Sequence, residues 1–358
     1  MDWTDYPAVA LVCLLVVCNL ALVVAMSTSG VAYGPYNSDW DGGTDLREVV
    51  SVTGADPEIG TSTSAYVDAD ANEVAFVLAP TESYGPTDVT RVRQFVSRGG
   101  TLIIASERAN TTNELLAGLD TETRINGTTV LDDQTNYRNA TLPRATNVSE
   151  HALVTDVEAL TLNRGTVLDV PEREGPVQRI ERPTVLVRTT SVAYLDRNGN
   201  GALDDNETIQ SYPVAAVESV GTGRVIVVSD ASVFTNTMLE REGNAAFARA
   251  VSQNATTALL DYSHRPPLPP LTYALLAVRA TPLAQVVIAL SLLGSVALWA
   301  RRPTLELAEL IDGDDPPAPD RTLTEAEVVA FVRERHPDWD RERVERVSQH
   351  IIRQRQDA

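Results

Sequence analysis

No lysine occurs anywhere in the 358 residues, so all 29 basic residues are arginine, set against 49 Asp and Glu and a formal net charge of −20. The acids are scattered rather than massed, which reads as a solvated surface suited to concentrated salt, where charge repulsion is screened over short distances. No basic stripe exists to neutralise phosphates, and this excludes duplex nucleic acid as a partner. Cysteine is nearly missing as well: Cys13 and Cys18 lie in one apolar run near the N-terminus, and there is no other. The rest of the chain therefore has no disulfide, no thiolate nucleophile and no cysteine metal site. Before residue 300 the only histidines are His151 and His264, which restricts any acid–base chemistry that needs imidazole. What is present in ordinary measure is apolar residue, at 43%, enough to bury a real core. The length allows about two domains.

Two long apolar runs stand out. Residues 8–26 hold one polar residue, Asn19, and residues 280–300 hold no charge and are followed at once by Arg301 and Arg302. At 1.5 Å rise per residue either run comes close to the roughly 30 Å of a bilayer core. A cleaved signal peptide competes for the first run, but Asp2 and Asp5 stand where a positive n-region belongs, which favours an uncleaved anchor. The Arg pair belongs on the cytoplasmic side. The expected topology is then a cytoplasmic N-terminus (1–7), a first span (8–26), an extracellular domain (27–263), a Pro-rich linker and interfacial segment (264–279), a second span (280–300), a disordered linker (301–320) and a cytoplasmic helical hairpin (321–358). Membrane lipid is the expected partner of both spans. N-x-[ST] sequons at Asn110, Asn126, Asn139, Asn147, Asn206 and Asn254 all fall in the segment assigned outside.

Between the runs the pattern alternates. Residues 45–52 read as a helix, 73–80 as a buried strand, 88–98 as a helix stopped by Gly99 and Gly100, 101–106 as a second buried strand and 113–119 as a short helix. That order predicts a parallel sheet with helical crossovers. Further on, 183–196 reads as one long strand, 213–230 as a hairpin around Gly221 and Gly223, and 245–260 as a closing amphipathic helix. The expected fold class is α/β with a β-hairpin-rich C-terminal part.

Three stretches carry a resemblance: GPYNSDWDGGTDLREV (34–49), the pair VAFVLAP and RGGTLIIAS, and GRVIVVSDASVFTN (223–236) with the later Gly243-Asn244. They resemble haloarchaeal membrane proteins carrying the domain of unknown function numbered 4350, over most of residues 30–260. The acidic, lysine-free composition likewise looks like that of a salt-loving archaeon. The resemblance implies a Rossmann/flavodoxin-like domain of the class I glutamine amidotransferase-like type. It also implies kinship with the extracytoplasmic part of gliding-motility-type transporter auxiliary proteins. It implies no reaction, because the family has no established activity.

A parallel sheet presents ligands at the carboxyl ends of its strands. Glu82 and Ser83 follow one strand, Ser106 and Glu107 another, and Asp230 a third; all five are candidate ligand-binding residues, with helix capping and turn formation as their other reading. The loop with Asn37, Asp39, Trp40 and Asp41 could edge the same crevice or simply cap a helix. An amidotransferase elbow would fall at Ser106, but Ile104 and Arg108 occupy the positions where small residues are needed, and His151 is the only candidate base in the domain. The expectation is a non-catalytic membrane-anchored binding or assembly domain; a cell-surface hydrolase or amidotransferase with a degenerate pocket near Ser106 is the alternative.

The stretch DRNGNGALDDNE follows the twelve-residue EF-hand loop position by position. Asp196, Asn198 and Asn200 take positions 1, 3 and 5, Gly201 position 6, the Ala202 carbonyl position 7, Asp204 position 9 and Glu207 position 12. This spacing supplies the six or more oxygens that Ca2+ takes, with Leu203 as an apolar tether. An Asp/Asn/Gly-rich hairpin loop is the competing reading. Near the C-terminus Thr324 and Glu327 form a capping box. Pro337 ends that helix, and a second begins at Asp340, with Val344, Val347 and Ile351 on one face. The hairpin is either a docking module or self-packed. The resemblance suggests, by gene association, a MoxR-type AAA ATPase system as its partner.

Overall fold

The computed structural model describes residues 30–171, 183–266 and 324–356, with residues 14 and 17 and scattered positions between 270 and 290. The chain divides into two compact units, Met1–Thr281 and Pro282–Ala358.

Among its described residues the first unit holds fourteen strands: Asp56–Gly60 (β1), Val74–Leu78 (β2), Thr101–Ala105 (β3), Arg124–Ile125 (β4), Thr129–Leu131 (β5), Arg144–Ala145 (β6), Asn147–Val148 (β7), Leu160–Thr161 (β8), Leu168–Asp169 (β9), Thr184–Arg188 (β10), Tyr194–Asp196 (β11), Pro213–Val220 (β12), Gly223–Val228 (β13) and Thr257–Asp261 (β14). Its helices of described extent include Thr44–Val52 (α1), Ala65–Asp68 (α2), Pro86–Ser97 (α3), Ala109–Gly118 (α4), Asn236–Leu239 (α5) and Glu242–Ser252 (α6). Eight strands form one mixed sheet in the order β1-β14-β2-β3-β13-β12-β10-β7. From β1 to β13 every neighbour is parallel; from β13 to β7 every neighbour is antiparallel.

The parallel half forms because its inner strands β14, β2, β3 and β13 are apolar on both faces, as a sheet covered on two sides requires. Side chains alternate between two cores. Phe76, Ile103, Ile226 and Val228 point to one, with Leu46 and Val50 of α1 and Phe247 and Val251 of α6. Ala75, Val77, Leu102, Ile104, Val225 and Val227 point to the other, with Val92, Phe95 and Val96 of α3 and Leu115 and Leu116 of α4. β1 lies at the sheet edge, where Pro57 costs no ladder hydrogen bond. The β12–β13 turn needs Gly221 at φ +64°, and Gly223 lies so close to the Val96 and Gly100 carbonyls that a Cβ would overlap them.

Two expected elements differ. The closing helix is Glu242–Ser252 alone, and the rest of the expected helix becomes β14. Asn254 turns the chain at φ +64°, and the β-branched Thr256 and Thr257 suit a strand. Thr257–Asp261 then fills the gap between β1 and β2, a partner arrangement that local periodicity does not encode. The long strand expected over 183–196 is two strands in different sheets, β10 in the main sheet and β11 paired with β5.

In the second unit, Glu325–Arg335 (α7) and Arg341–Gln356 (α8) are helical. Glu327 Oε2 accepts from the Thr324 N–H and hydroxyl, both at 2.8 Å, and Asp340 Oδ1 caps the start of α8 by accepting the Arg343 N–H at 2.8 Å. Val328, Val332, Val344 and Ser348 are buried, whereas Phe331 is 61% and Ile351 40% exposed.

The two-span topology is corrected. Crossing a bilayer takes about 20 consecutive apolar helical residues, and among the described residues no helix is long and apolar enough to cross a membrane. Most of residues 8–26 and 280–300 lies outside the described residues, as does the expected linker 301–320. The multi-pass placement, with 27–263 outside the cell and both termini inside, is therefore set aside.

Phe247 is fully buried, 6.1 Å from the Phe234 ring, which is itself 5.5 Å from Phe76. Phe247→Ala is expected to lower stability by about 3–5 kcal/mol. Urea unfolding checks this, and a loss below about 1 kcal/mol would show that the three rings do not anchor this core.

Candidate functional site

The carboxyl ends of β2, β3 and β13 lie side by side, and their following residues build one edge of the domain. Ser106 continues β3 by donating its N–H to the Val228 carbonyl at 3.0 Å. Its hydroxyl accepts the Arg108 N–H at 3.0 Å, so it works as a cap for the turn into α4. Glu107 is half-buried; Oε1 is 3.6 Å from Arg108 Nε, while Oε2 is enclosed and has no hydrogen-bond partner. Asp230 is buried after β13, with Oδ1 accepting the Ser232 N–H at 2.8 Å and Oδ2 the Asn163 N–H at 2.6 Å. Burial pushes its carboxyl up to about 6, against the lowering effect of these bonds and with Glu107 adding to the rise.

Tyr33 completes this group. Its backbone is left-handed, at φ +60°, an uncommon conformation for a bulky residue. Burial first, then the charges of Glu107 and Asp230, push its phenol well up. Arg265 stacks over the Tyr33 ring at 4.9 Å and donates at 2.7 Å to the carbonyls of Leu78, Ala79 and Ala32. One guanidinium thus ties the entry of the domain, its exit and the left-handed turn at Ala79 (φ +41°). Asn236 holds the other half of the entry loop. Its amide donates to the carbonyls of Asn37 (3.1 Å) and Asp39 (2.7 Å), and its oxygen accepts the Asp45 N–H at 2.9 Å. Asn37 also bonds Asp41 Oδ1 at 3.0 Å, and Trp40 is exposed. This loop is a clamp on α1.

Glu82 and Ser83 do not join the group. Both are exposed, and Ser83 donates to Glu114 Oε2 at 2.5 Å. A second cluster, which sequence reasoning missed, sits at the carboxyl end of β14. Asp261 Oδ2 accepts the hydroxyls of Tyr66 (2.8 Å) and Tyr84 (2.9 Å); burial, then Asp261, raises both phenols. His264, read in the sequence as linker, is buried against Tyr84 with ring centroids 3.6 Å apart. Its Nδ1 is 2.7 Å from Ser263 Oγ, and its Nε2 is 3.6 Å from Asp88 Oδ2. The run of Leu259 and Leu260 before Asp261 was the available signal, had it been read as a strand.

The arrangement around Ser106 lacks the features of a nucleophile. Ser106 is not among the left-handed residues, so the strained elbow geometry is missing. His151 Nδ1 accepts the Leu153 N–H at 3.2 Å and caps the short turn Ala152–Val154.

The loop 196–207 closes on its own oxygens. Asp196 accepts the Asn200 and Gly201 N–H groups, both at 3.0 Å. Asn198 Oδ1 accepts the Asn200 N–H (3.0 Å) and Asn200 Oδ1 the Ala202 N–H (2.8 Å). Glu207 reaches back to the Arg197 N–H (2.7 Å) and the Asp204 N–H (3.2 Å). Gly199 and Gly201 take φ +73° and +75°. The donor set is hard oxygen, the kind Ca2+ uses. Among the described residues no group of three or more His, Cys, Asp and Glu could hold a metal, so the loop qualifies only with its amide and carbonyl oxygens counted. Leu203, expected as a tether, is 42% exposed.

The family model described as a domain of unknown function, DUF4350, matches residues 35–251, a span that includes Ser106, Glu107, Asp230 and the loop 196–207. Among solved structures, the chain is similar to the mmIFT52 N-terminal domain, with a TM-score of 0.39 and 14% identity over 54% of this chain and 80% of that one. It is also similar to the cytoplasmic protein STM1381 from Salmonella typhimurium LT2, with a TM-score of 0.37 and 15% identity over 60% of this chain and 88% of that one. No curated protein matches.

A carboxyl that titrates near 6 when folded and near 3.9 when unfolded is disfavoured in its ionised folded form. Its contribution is most favourable below about pH 4 and falls as pH rises, with the loss complete above about 6. Asp230→Asn removes that titration, at the cost of turning an amide N–H toward a backbone donor. The variant is expected to show a shallower fall in unfolding free energy between about pH 4 and 6 than the parent, by up to about 1.4 kcal/mol per pH unit. Denaturant unfolding across that range checks it, and parallel profiles would refute a titrating Asp230.

Proposed function

The chain belongs to the DUF4350 family, whose function is unknown, and on that footing we propose that it is a non-catalytic binding or assembly module. Its ligand is received at the carboxyl edge of the parallel strands, around Tyr33, Glu107 and Asp230, and its C-terminal helical pair docks a protein partner. The observation that carries the reading is the enclosed Oε2 of Glu107, which has no hydrogen-bond partner. A carboxylate oxygen left unsatisfied costs more than a made bond returns, and an incoming donor relieves it. The all-parallel strands from β1 to β13 support a Rossmann or flavodoxin-like ancestry of the glutamine amidotransferase-like type, in which ligands meet the sheet at this edge. Exposed Phe331 and Ile351 support a protein partner for the tail, and a MoxR-type AAA ATPase system is the candidate. Co-purification from native cells of the full-length chain and of one ending at residue 320 tests the tail; identical partners in both would refute it. Exposure to a fluorophosphonate probe tests the rest, because labelling of Ser106 would overturn the non-catalytic reading in favour of a hydrolase.

Ca2+ is the proposed structural cofactor, held by Asp196, Asn198, Asn200, Asp204 and Glu207 with the Ala202 carbonyl. An ion there offsets two of the three negative charges of Asp196, Asp204 and Glu207 and pins the loop between β11 and β12. Extracellular-type sites bind at about 0.1–1 mM, so ten times the Kd stabilises by about 1.4 kcal/mol. The expected rise in Tm is roughly 3–6 °C, lost in Glu207→Gln. A Tm that stays constant up to about 10 mM Ca2+ removes the cofactor from the proposal.

A further inference from the structure

A cleft of about 890 Å³ runs along helix α6, between it and the segment 136–161, away from the carboxyl-edge loops after β2, β3 and β13. Its size lies in the range of ligand pockets, roughly 300–1,000 Å³. Its walls are fixed from behind. The buried amide of Asn244 bonds both backbone groups of Thr161, at 2.9 and 3.0 Å, and Gly243 lets the Ala159 carbonyl approach so closely that a Cβ would overlap it. At one end Arg241 lies 4.3 Å over the Tyr137 ring, its Nη2 held by Glu240 at 2.8 Å, and Arg138 covers the same ring at 5.2 Å. The cleft is preformed, which spares a ligand the cost of ordering it.

The lining narrows the ligand class. Its apolar part is mostly alanine methyls, which gives a lipid or aromatic ligand little to bury against. Three arginines, Arg144, Arg241 and Arg249, face four carboxylates, Asp156, Glu158, Glu240 and Glu242. Neither a strong anion nor a strong cation is favoured over such a mixture, because each meets like charge at close range. Among the described residues Arg144, Arg249, Asp156, Glu158 and Glu242 have no ion-pair partner, so their polar atoms are free for a ligand. Guanidinium, carboxylate and carboxamide groups share one property: two coplanar polar atoms about as far apart as neighbouring hydroxyls on a sugar ring.

We infer that the α6 cleft binds a neutral, polyhydroxylated ligand, an oligosaccharide of about three rings, with Glu158 and Arg249 making paired hydrogen bonds to vicinal hydroxyls. The inference is independent of the carboxyl-edge site.

Titration calorimetry of the full-length protein with mannotriose and with maltotriose tests it, with spermidine and citrate as charged controls. At least one trisaccharide is expected to bind saturably with a Kd of about 1 mM or tighter. Glu158→Ala and Arg249→Ala, both at exposed positions, are expected to keep the parent Tm and weaken that binding tenfold or more. No saturation by either sugar up to about 20 mM, binding of the charged controls alone, or undiminished affinity in both variants overturns the inference.

Discussion

The domain is completed by its last strand. β14 enters between β1 and β2, so the parallel half of the sheet has a gap until residues 257–261 arrive. Loop closure over that separation is costly before any contact rewards it. The reward is the pairing of β14 on both sides and the burial of Leu259 and Leu260 on opposite faces. One side of the carboxyl edge follows from this insertion. It delivers Asp261 to Tyr66 and Tyr84, His264 to Tyr84 and Asp88, and Arg265 to the carbonyls of Leu78, Ala79 and Ala32.

The edge so formed has two chemical zones. Around Asp261 the polar groups satisfy one another, two phenols and a backbone N–H on a single carboxylate, which is the behaviour of a structural network. Around Glu107 and Asp230 satisfaction is incomplete, with two acids near one another and an enclosed carboxylate oxygen lacking a donor. Buried groups of that kind are few in folded proteins, and each requires a reason. The proposed ligand would supply that reason, at the edge where open parallel sheets receive ligands. The serine of this edge is committed to backbone bonds and is not held in the conformation of a nucleophile.

The remaining features are set apart from this edge. The loop between β11 and β12 organises its own oxygens before any ion is considered, through two left-handed glycines and six side-chain-to-backbone bonds. The cleft along α6 owes its shape to Gly243 and Asn244, residues singled out in the sequence but without any role there.

By itself the sequence determined whatever depends on near neighbours in the chain. The apolar runs at 74–78 and 101–105, the helix stopped by Gly99, the β12–β13 turn, the Thr324–Glu327 cap and the spacing of oxygens over 196–207 are set by periodicity, turn chemistry and capping, which act over a few residues. The family could be read as well, from the segments 34–49 and 223–236. The apolar runs at 8–26 and 280–300 were equally clear as patterns, yet no described helix realises a crossing. Only the tertiary structure decided that TALLD is a central strand rather than the end of a helix, that His264 and Arg265 belong to the core edge, and that Glu82 and Ser83 stay apart from Glu107 and Asp230. The first two outcomes depend on partners some 180 or more residues away, and the third on Ser83 meeting Glu114 across 31 residues; no local pattern carries that information.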